Sequence, residues 1–337
     1  MYYNNKDVRI QEMPVPEISD DEILVKVMAS GICGSDVMEW YRIKKAPLVL
    51  GHEISGVIGK IGNNVKNFKV SDRVFVSHHV PCMKCHYCVN NHHTSCETLH
   101  KTNFYPGGFS EYIKVPKINV EHGTFKLPNN VSFDEGTFIE PLGCVLRAQR
   151  LSNLQKNNAL LVIGSGISGL MHVNLAKSKG IKKIIAIDLN EYRLNAAKKF
   201  GADFVFDARD DIIEKIKEIN DNRLADLVIV CAGALPAAKQ ALNCVDKGGT
   251  ILFFAVPKPD EKLEIPINDF WKNEIKIMTS YGAAPNDLEE SLELIKNKKI
   301  NLADMITHRL KFDVIQKGFQ LVAEAKESIK VIIKNSE

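Results

Sequence analysis

The feature that most restricts the fold of this chain is a short apolar run that leads directly into a glycine-rich turn. Residues 158–163 read NALLVI, the next six read GSGISG, and a helical pattern follows. The glycines of the turn are Gly164, Gly166 and Gly169. The next strand-like run, 183–187, ends in Asp188, about twenty residues beyond the last glycine. A bare GxGxxG is weak evidence, but in this context it predicts a βαβ unit that binds a dinucleotide.

The residue types in this turn suit phosphate binding. Glycines permit the tight turn and a close backbone approach, and the helix N-terminus attracts a pyrophosphate. The expected contacts are Gly164, Gly166, Ile167, Ser168 and Gly169. Asp188 is placed to accept hydrogen bonds from the adenosine ribose and to repel a 2′-phosphate, which favours NAD over NADP. Arg193 leaves that preference open, since a nearby guanidinium compensates such a charge.

The two halves of the chain differ in pattern. Residues 1–80 alternate short strand-like runs with turn signals, which predicts a compact and mostly β module. Residues 147–282 alternate strand and helix patterns, and strands at 201–205 and 250–255 are among those expected. This alternation predicts an α/β domain with a doubly wound parallel sheet. After Gly282 come two helical patterns, 286–297 and 313–325, and a last strand, 329–333. That tail is too small for a domain, so we expect it to rejoin the N-terminal module.

Four cysteines lie within residues 82–96, with a CxxCxxC pattern followed by a longer spacer. They are Cys82, Cys85, Cys88 and Cys96. Two-residue spacers let a turn wrap around one ion, and four thiolates complete a tetrahedron, so the pattern predicts a structural zinc site. An iron-sulfur cluster is the alternative, and the sequence contains no motif for an electron-transfer partner.

A second set of candidate residues, of types that bind metals or handle protons, lies between Gly31 and Glu53. It comprises Cys33, Ser35, Asp36, His52 and Glu53. A catalytic zinc needs about three protein ligands and one open position, so a further ligand must come from elsewhere. Glu140 is a candidate, in a helical region expected to start at Ser132 with Glu135 at the capping-box position. Its carboxylate lies in an apolar stretch, where an acid is costly unless it is paired or binds a metal. Cys144 is the rival candidate.

Composition excludes several other functions. The 337 residues are 45% hydrophobic and 25% charged, with a formal net charge of +3 from interspersed charges. We therefore expect no nucleic-acid partner. No apolar run reaches the ~20 residues of a membrane span and no signal core is visible, so we expect a cytoplasmic protein without membrane contact. In a reducing compartment the eight cysteines serve as ligands or buried thiols.

Taken together, the motifs resemble the zinc-dependent medium-chain alcohol dehydrogenases, in their sorbitol and threonine dehydrogenase-like branch. They are GICGSD at 31–36, GHE at 51–53, the four-cysteine loop, EPLGC at 140–144, GSGISG at 164–169 and THR at 307–309. The resemblance implies a GroES-like catalytic domain with a zinc lobe over 1–145. It also implies an NAD-binding Rossmann domain over 146–282 and a return to the catalytic domain over 283–337.

The resemblance also assigns metal ligands. Cys33 and His52 would bind the catalytic zinc, with Glu53 a ligand in some states only. Glu140 takes the position of the family's third ligand, which favours it over Cys144. The four-cysteine loop would hold the structural zinc.

Further roles follow from the same resemblance and its chemistry. Ser35 would accept the substrate proton, and Asp36 would orient a ligand imidazole. Arg193 would contact the adenosine ribose and Lys330 the pyrophosphate. The residues expected at the nicotinamide are Ala255, Val256, Pro257 and Tyr281. Met38 stands where many relatives carry a histidine, so a proton relay that ends on that histidine is missing.

The predicted activity is oxidation of a secondary alcohol, a polyol or sugar alcohol, to its ketone with zinc and NAD. Threonine- or butanediol-type substrates are the alternative. A metal-free reductase of the same fold conflicts with the GHE site and the cysteine lobe, and a non-catalytic NAD- and zinc-binding protein is a distant third. Relatives are dimers or tetramers, so we expect a homo-oligomer with a contact near Leu252–Ile277.

Overall fold

The computed structural model describes residues 1–335, which form two compact units. Unit 1 comprises Met1–Gly143 together with the chain from Gly282 onward. Unit 2 is the continuous segment Cys144–Tyr281. The sequence placed the corresponding divisions after residues 145 and 282.

The strands have the following bounds, in chain order. They are β1 Tyr2–Asn4, β2 Asp7–Val8, β3 Ile23–Gly31, β4 Glu53–Ile61, β5 Arg73–Val76, β6 Tyr112–Val115, β7 Thr124–Lys126, β8 Ala159–Ile163, β9 Lys183–Asp188, β10 Phe204–Asp207, β11 Ala225–Val230, β12 Val245–Phe253, β13 Lys276–Thr279, β14 Ile306–Lys311 and β15 Lys330–Lys334.

The α-helices are α1 Glu39–Arg42, α2 His86–Val89, α3 Glu97–Lys101, α4 Lys117–His122, α5 Phe133–Gly136, α6 Ile139–Leu151, α7 Ile167–Ser178, α8 Glu191–Lys199, α9 Ile212–Ile219, α10 Leu235–Cys244, α11 Ile267–Lys272, α12 Pro285–Lys296 and α13 Ile315–Glu324. Single 3₁₀ turns occupy Gly34–Val37, Ile43–Lys45, His93–Ser95, Ala303–Met305 and Phe312–Val314. Within residues 1–335, every helix lacks the length and apolar character that crossing a membrane requires.

Unit 1 is built on a seven-stranded, mainly antiparallel sheet. Its order is β14-β15-β3-β4-β5-β7, and β6 also pairs with β3. Apolar side chains such as Ile23, Val25 and Ile54 form its core, because alternate residues of a strand share one face. β15 pairs antiparallel with β3, with Ile332 opposite Gly31. The tail therefore rejoins the N-terminal module, as its short length indicated.

Unit 2 is a six-stranded parallel sheet in the order β10-β9-β8-β11-β12-β13. The chain starts at β8, moves outward through β9 and β10, and then fills the other half from β11 to β13. This order confirms the predicted doubly wound sheet. Ligands of such sheets bind beyond the carboxyl ends of the strands where the order reverses. The glycine-rich turn follows β8, one of the two strands at that reversal.

Several predicted element bounds were wrong. The strand expected at 201–205 lies at Phe204–Asp207, because Gly201 adopts a φ of +116° in a turn before it. The strand expected at 250–255 begins at Val245, so it includes the polar run DKGG that an apolar pattern does not mark. The helical region expected from Ser132 is two helices, although its predicted capping box with Glu135 is present.

Asp134 in α5 forms ion pairs with the C-terminal strands β14 and β15, within unit 1. Its two carboxylate oxygens lie 2.6 Å from Lys334 Nζ and 2.6 Å from Arg309 Nε. Burial alone would raise the pKa of Asp134, but these two cations hold it below its ordinary value. The ionised carboxylate therefore stabilises the fold above the unfolded pKa of about 3.9, and this contribution disappears as pH falls through the folded pKa.

We expect Asp134→Asn to lower the free energy of unfolding by about 1 kcal/mol at pH 7, a modest value because both cations are partly exposed. Denaturant unfolding at pH 7 and at about pH 3 measures the difference from the parent, which should shrink at the lower pH. Asp260→Asn, at an exposed loop position, is the control. An equal deficit at both pH values contradicts the assignment to charge.

Candidate functional site

Cys33, His52 and Glu53 come together in unit 1. Cys33 follows β3, and the two other residues stand at the start of β4, the neighbouring strand. Each side chain contributes one donor atom, and these atoms all lie within 4.8 Å of one another. Gly51 enables the approach to β4, because it has a φ of +94° and an added Cβ would lie 2.7 Å from the backbone nitrogen of Phe109.

A reciprocal cap fixes the Cys33 turn. The backbone N–H of Ser35 donates to Cys33 Sγ at 3.4 Å, and the backbone N–H of Cys33 donates to Asp36 Oδ2 at 3.1 Å. Both bonds close the first turn of the 3₁₀ helix Gly34–Val37. The thiol therefore has a set direction.

Asp36 orients the imidazole of His52. The Asp36 side chain is fully buried, and its Oδ1 lies 3.4 Å from His52 Nδ1. Burial alone would raise the pKa of Asp36, but His52 and Arg42 lower it. Burial would likewise lower the pKa of His52, but Asp36 and Cys33 raise it well above the ordinary value. A carboxylate at Nδ1 leaves Nε2 for a metal, the usual arrangement behind a ligand histidine.

This donor set fits zinc. A thiolate, an imidazole and a carboxylate are ligands of catalytic zinc sites. Asp36 Oδ1 is buried and has no hydrogen bond of good geometry, so it can accept one from a ligand imidazole. Glu140 lies half-buried in the first turn of α6, and within residues 1–335 the cluster does not include its carboxylate. The role of Glu140 as the third ligand stays a prediction, and so does the rival role of Cys144.

Arg42 is a site residue that the sequence did not reveal. Its Nε donates to the backbone carbonyl of Ser35 at 2.9 Å, and its Nη2 donates to Ser35 Oγ at 3.1 Å. The same Nη2 lies 3.6 Å from Asp36 Oδ1, and the guanidinium side chain is only 15% exposed. Because a guanidinium only donates, Ser35 Oγ accepts from it. The Ser35 hydroxyl hydrogen is therefore directed to another acceptor.

We expect Arg42→Met to lower kcat about tenfold, equivalent to about 1.4 kcal/mol, because Ser35 and Asp36 lose a fixed, charged donor. Steady-state kinetics and zinc content are the measurements. Arg42→Lys keeps the charge without the two-pronged geometry and should fall between the parent and Arg42→Met. An unchanged kcat in Arg42→Met would contradict the role of this contact.

Lys330 occupies a different environment from the one expected for a pyrophosphate ligand. Its side chain is 1% exposed, and its ammonium donates to Glu53 Oε2 inside unit 1. The resemblance had placed Lys330 at the cofactor. The structure instead places its ammonium against Glu53, within the cluster of Cys33, His52 and Glu53.

The four cysteines of the 82–96 loop converge as predicted. The Sγ atoms of Cys82 and Cys88 lie 4.0 Å apart, and those of Cys85 and Cys88 lie 3.6 Å apart. A tetrahedral zinc with Zn–S bonds of about 2.3 Å requires S–S separations of about 3.8 Å. Cys96 completes the group. This set has no place for substrate, which fits a structural site.

Asp188 holds the glycine-rich turn of unit 2. Its Oδ2 accepts from the backbone N–H of Ser165 at 2.7 Å, and its Oδ1 accepts from Asn190 N at 2.9 Å. Gly164 adopts a φ of +95°. Gly166 is the residue just before α7, at the N-cap position, and no side chain caps the helix there. The first N–H groups of this helix are thus available to an anion, which fits a dinucleotide pyrophosphate.

Arg193 also belongs to this surface. Its Nη1 lies 3.7 Å from the position that a Cβ at Gly166 would take. Two of the residues expected at the nicotinamide lie at the surface: Val256 is 51% exposed and Tyr281 is 52% exposed. Ala255 donates its backbone N–H to Val230 at the end of β11. The cofactor contacts of these residues stay predictions.

Models of known protein families match segments in both units of this chain. Residues 19–128 match the alcohol dehydrogenase GroES-like domain, and residues 168–297 match the zinc-binding dehydrogenase domain. A probable D-xylulose reductase A from Aspergillus clavatus is 32% identical over 97% of this chain and 93% of its own length. A sorbitol dehydrogenase from Bacillus subtilis is 33% identical over 98% of this chain and 95% of its own.

A solved dehydrogenase structure has a fold similar to that of this chain. The 2R,3R-butanediol dehydrogenase from Bacillus subtilis matches with a TM-score of 0.86 and 27% identity, covering 99% of this chain and 98% of that one. The GroES-like and Rossmann folds inferred from the motifs are thereby confirmed. The chain therefore belongs to the zinc-dependent medium-chain alcohol dehydrogenases, within the branch that includes sorbitol dehydrogenase.

Proposed function

We propose that this protein oxidises a secondary alcohol of a polyol or sugar alcohol to the ketone, with NAD as the hydride acceptor. The observation that carries the proposal is the cluster of Cys33, His52 and Glu53 donors, with Asp36 behind the imidazole. Cys33, His52 and Glu140 are the proposed ligands of a catalytic zinc, and Glu53 is a conditional one. The four-cysteine loop holds the structural zinc.

Each protein group has a distinct task in this reaction. A zinc ion held by the proposed catalytic ligands would supply Lewis acidity, which would lower the pKa of a bound alcohol as it lowers that of bound water. Ser35 Oγ receives the substrate proton, and Arg42 fixes its orientation. Asp36 holds the His52 ring. Because Met38 replaces the relay histidine, the proton leaves Ser35 to water.

The polyol class follows from the relatives, whose names are sorbitol dehydrogenase and D-xylulose reductase. The test is an NAD-reduction screen over sorbitol, xylitol, other polyols and their phosphates, inositols, L-threonine and butanediol. We expect the highest kcat/KM for a polyol. A clear maximum for butanediol, the substrate named for one structural relative, would favour a butanediol-type dehydrogenase. A clear maximum for L-threonine would favour a threonine dehydrogenase-like activity. No turnover on the whole panel contradicts the proposal.

NAD is the proposed cofactor because the Asp188 carboxylate lies at the glycine-rich turn, where a 2′-phosphate would meet its charge. Asp188→Ser should lower the ratio of kcat/KM for NAD to that for NADP. Arg193→Ala tests the opposing influence on this ratio, because it removes the nearby guanidinium that compensates the charge of a 2′-phosphate. A parent enzyme that prefers NADP would contradict the assignment.

We further propose a cytoplasmic homo-oligomer joined through unit 2. β13 is an edge strand of the parallel sheet, and edge strands pair readily with a second chain. Exposed apolar side chains of α11 line a surface pocket together with Ile277 of β13. Among them, Ile267 is 69% exposed and Trp271 is 81% exposed. Sedimentation of the parent and of Trp271→Ser tests this. A monomeric parent contradicts the proposal, and a smaller assembly for Trp271→Ser supports it.

A further inference from the structure

The Glu53–Lys330 pair crosses the middle strand of the unit 1 sheet. Glu53 begins β4 and Lys330 begins β15, and both strands pair with β3. Gly31 is the β3 residue between them. A Cβ there would lie 2.4 Å from Glu53 Oε2 and 2.6 Å from Lys330 Nζ. The absence of a side chain at Gly31 therefore creates the space in which the two charged groups meet.

Both partners are sealed from solvent. The Glu53 side chain is 2% exposed, the Lys330 side chain is 1% exposed, and the Phe138 ring lies 5.3 Å from Lys330 Nζ. Removal of one partner of such a pair leaves an uncompensated buried charge, which is strongly unfavourable. Glu53 therefore needs a cation in its immediate surroundings.

Two cations compete for this carboxylate. One is the Lys330 ammonium, which Glu53 Oε2 already contacts. The other is the metal expected between Cys33 and His52, whose donor atoms lie within 4.8 Å of a Glu53 oxygen. A carboxylate already neutralised by an ammonium gains less from binding a second cation. The ammonium thus weakens Glu53 as a metal ligand.

We propose that Lys330 is a positioning residue that restrains Glu53, so that Glu53 is an exchangeable zinc ligand and one position stays open for substrate. Catalytic zinc sites depend on such an open position. Without Lys330, the charge of Glu53 is compensated by the metal alone, and the carboxylate closes onto it. The inference rests on the proposed zinc site at Cys33 and His52.

The test is the rate at which the zinc-loaded protein releases zinc to an excess of a coloured chelator. Cys33→Ala serves as the blank, since the zinc that it still releases comes from the four-cysteine loop. We expect Lys330→Met to release the Cys33-dependent zinc at least about tenfold more slowly than the parent, equivalent to about 1.4 kcal/mol. Should Lys330→Met not fold, Lys330→Gln carries the same expectation, because it is also neutral.

A second background shows whether Lys330 acts through Glu53. In Glu53→Gln the competing charge is absent, so adding Lys330→Met should leave the release rate unchanged. Unchanged or faster release in the single Lys330 variants overturns the proposal, and so does an equal slowing in the Gln background. A parent that releases no more zinc than Cys33→Ala overturns the zinc site itself, and with it the role of Lys330.

Discussion

Cys33→Ala is expected to lower the kcat/KM of polyol oxidation at least about a thousandfold, because the protein then loses the proposed thiolate ligand of its catalytic zinc. The metal contributes several kcal/mol of charge stabilisation to the transition state, and each 1.36 kcal/mol corresponds to a factor of ten. Steady-state kinetics and zinc analysis measure the effect. The variant should keep the zinc of the four-cysteine loop.

Cys144→Ala is the matched control for this experiment. Cys144 is the other thiol that the sequence offers as a catalytic ligand, four residues after Glu140 in the same helix. We expect it to keep its activity and its zinc, whereas Glu140→Ala should lose the catalytic zinc. Retained activity in Cys33→Ala, or loss of zinc in Cys144→Ala, would require a different ligand set.

Gly169→Ala is expected to reduce the thermal stability of unit 2 and to abolish NAD binding. A Cβ at this position would lie 1.9 Å from the carbonyl oxygen of Gly164, so the turn between β8 and α7 has to move. Overpacking of this kind costs about 1–3 kcal/mol, and more where backbone is involved. Thermal unfolding and NAD titration monitored by fluorescence are the measurements.

Gly166→Ala separates the two effects within the same turn. At Gly166 the nearest atom to an added Cβ is Arg193 Nη1 at 3.7 Å, an ordinary contact, and the backbone φ is −70°. Stability should therefore be close to that of the parent, while NAD affinity falls because the Cβ occupies space that the pyrophosphate needs. Equal stability losses in both glycine variants would contradict this division of roles.

Local pattern was sufficient to predict much of this molecule. The run NALLVI, the glycines and Asp188 are close in sequence, and the structure joins them as β8, the turn, α7 and β9. The four cysteines likewise lie within one loop, so their spacing restricts where their thiols meet. Such short-range features depend little on the rest of the chain.

Contacts that arise from strand register or from irregular backbone could not be predicted in this way. Glu53 meets Lys330 because β3 places two strands on either side of a glycine, and no local pattern contains that register. Arg42 looks like a solvated residue at the end of a short helix, yet its guanidinium lies against Ser35. Lys330 reaches Glu53 through strand pairing, whereas Arg42 reaches Ser35, seven residues before it, across a short irregular segment that no periodic pattern describes.

Zinc analysis of the purified protein, together with NAD reduction on its best polyol, tests most directly whether the protein uses a catalytic metal. We expect two zinc ions per chain, NADH formation that depends on the polyol, loss of that activity on chelation and recovery on addition of zinc. One zinc per chain with undiminished polyol oxidation would contradict a catalytic metal at Cys33 and His52.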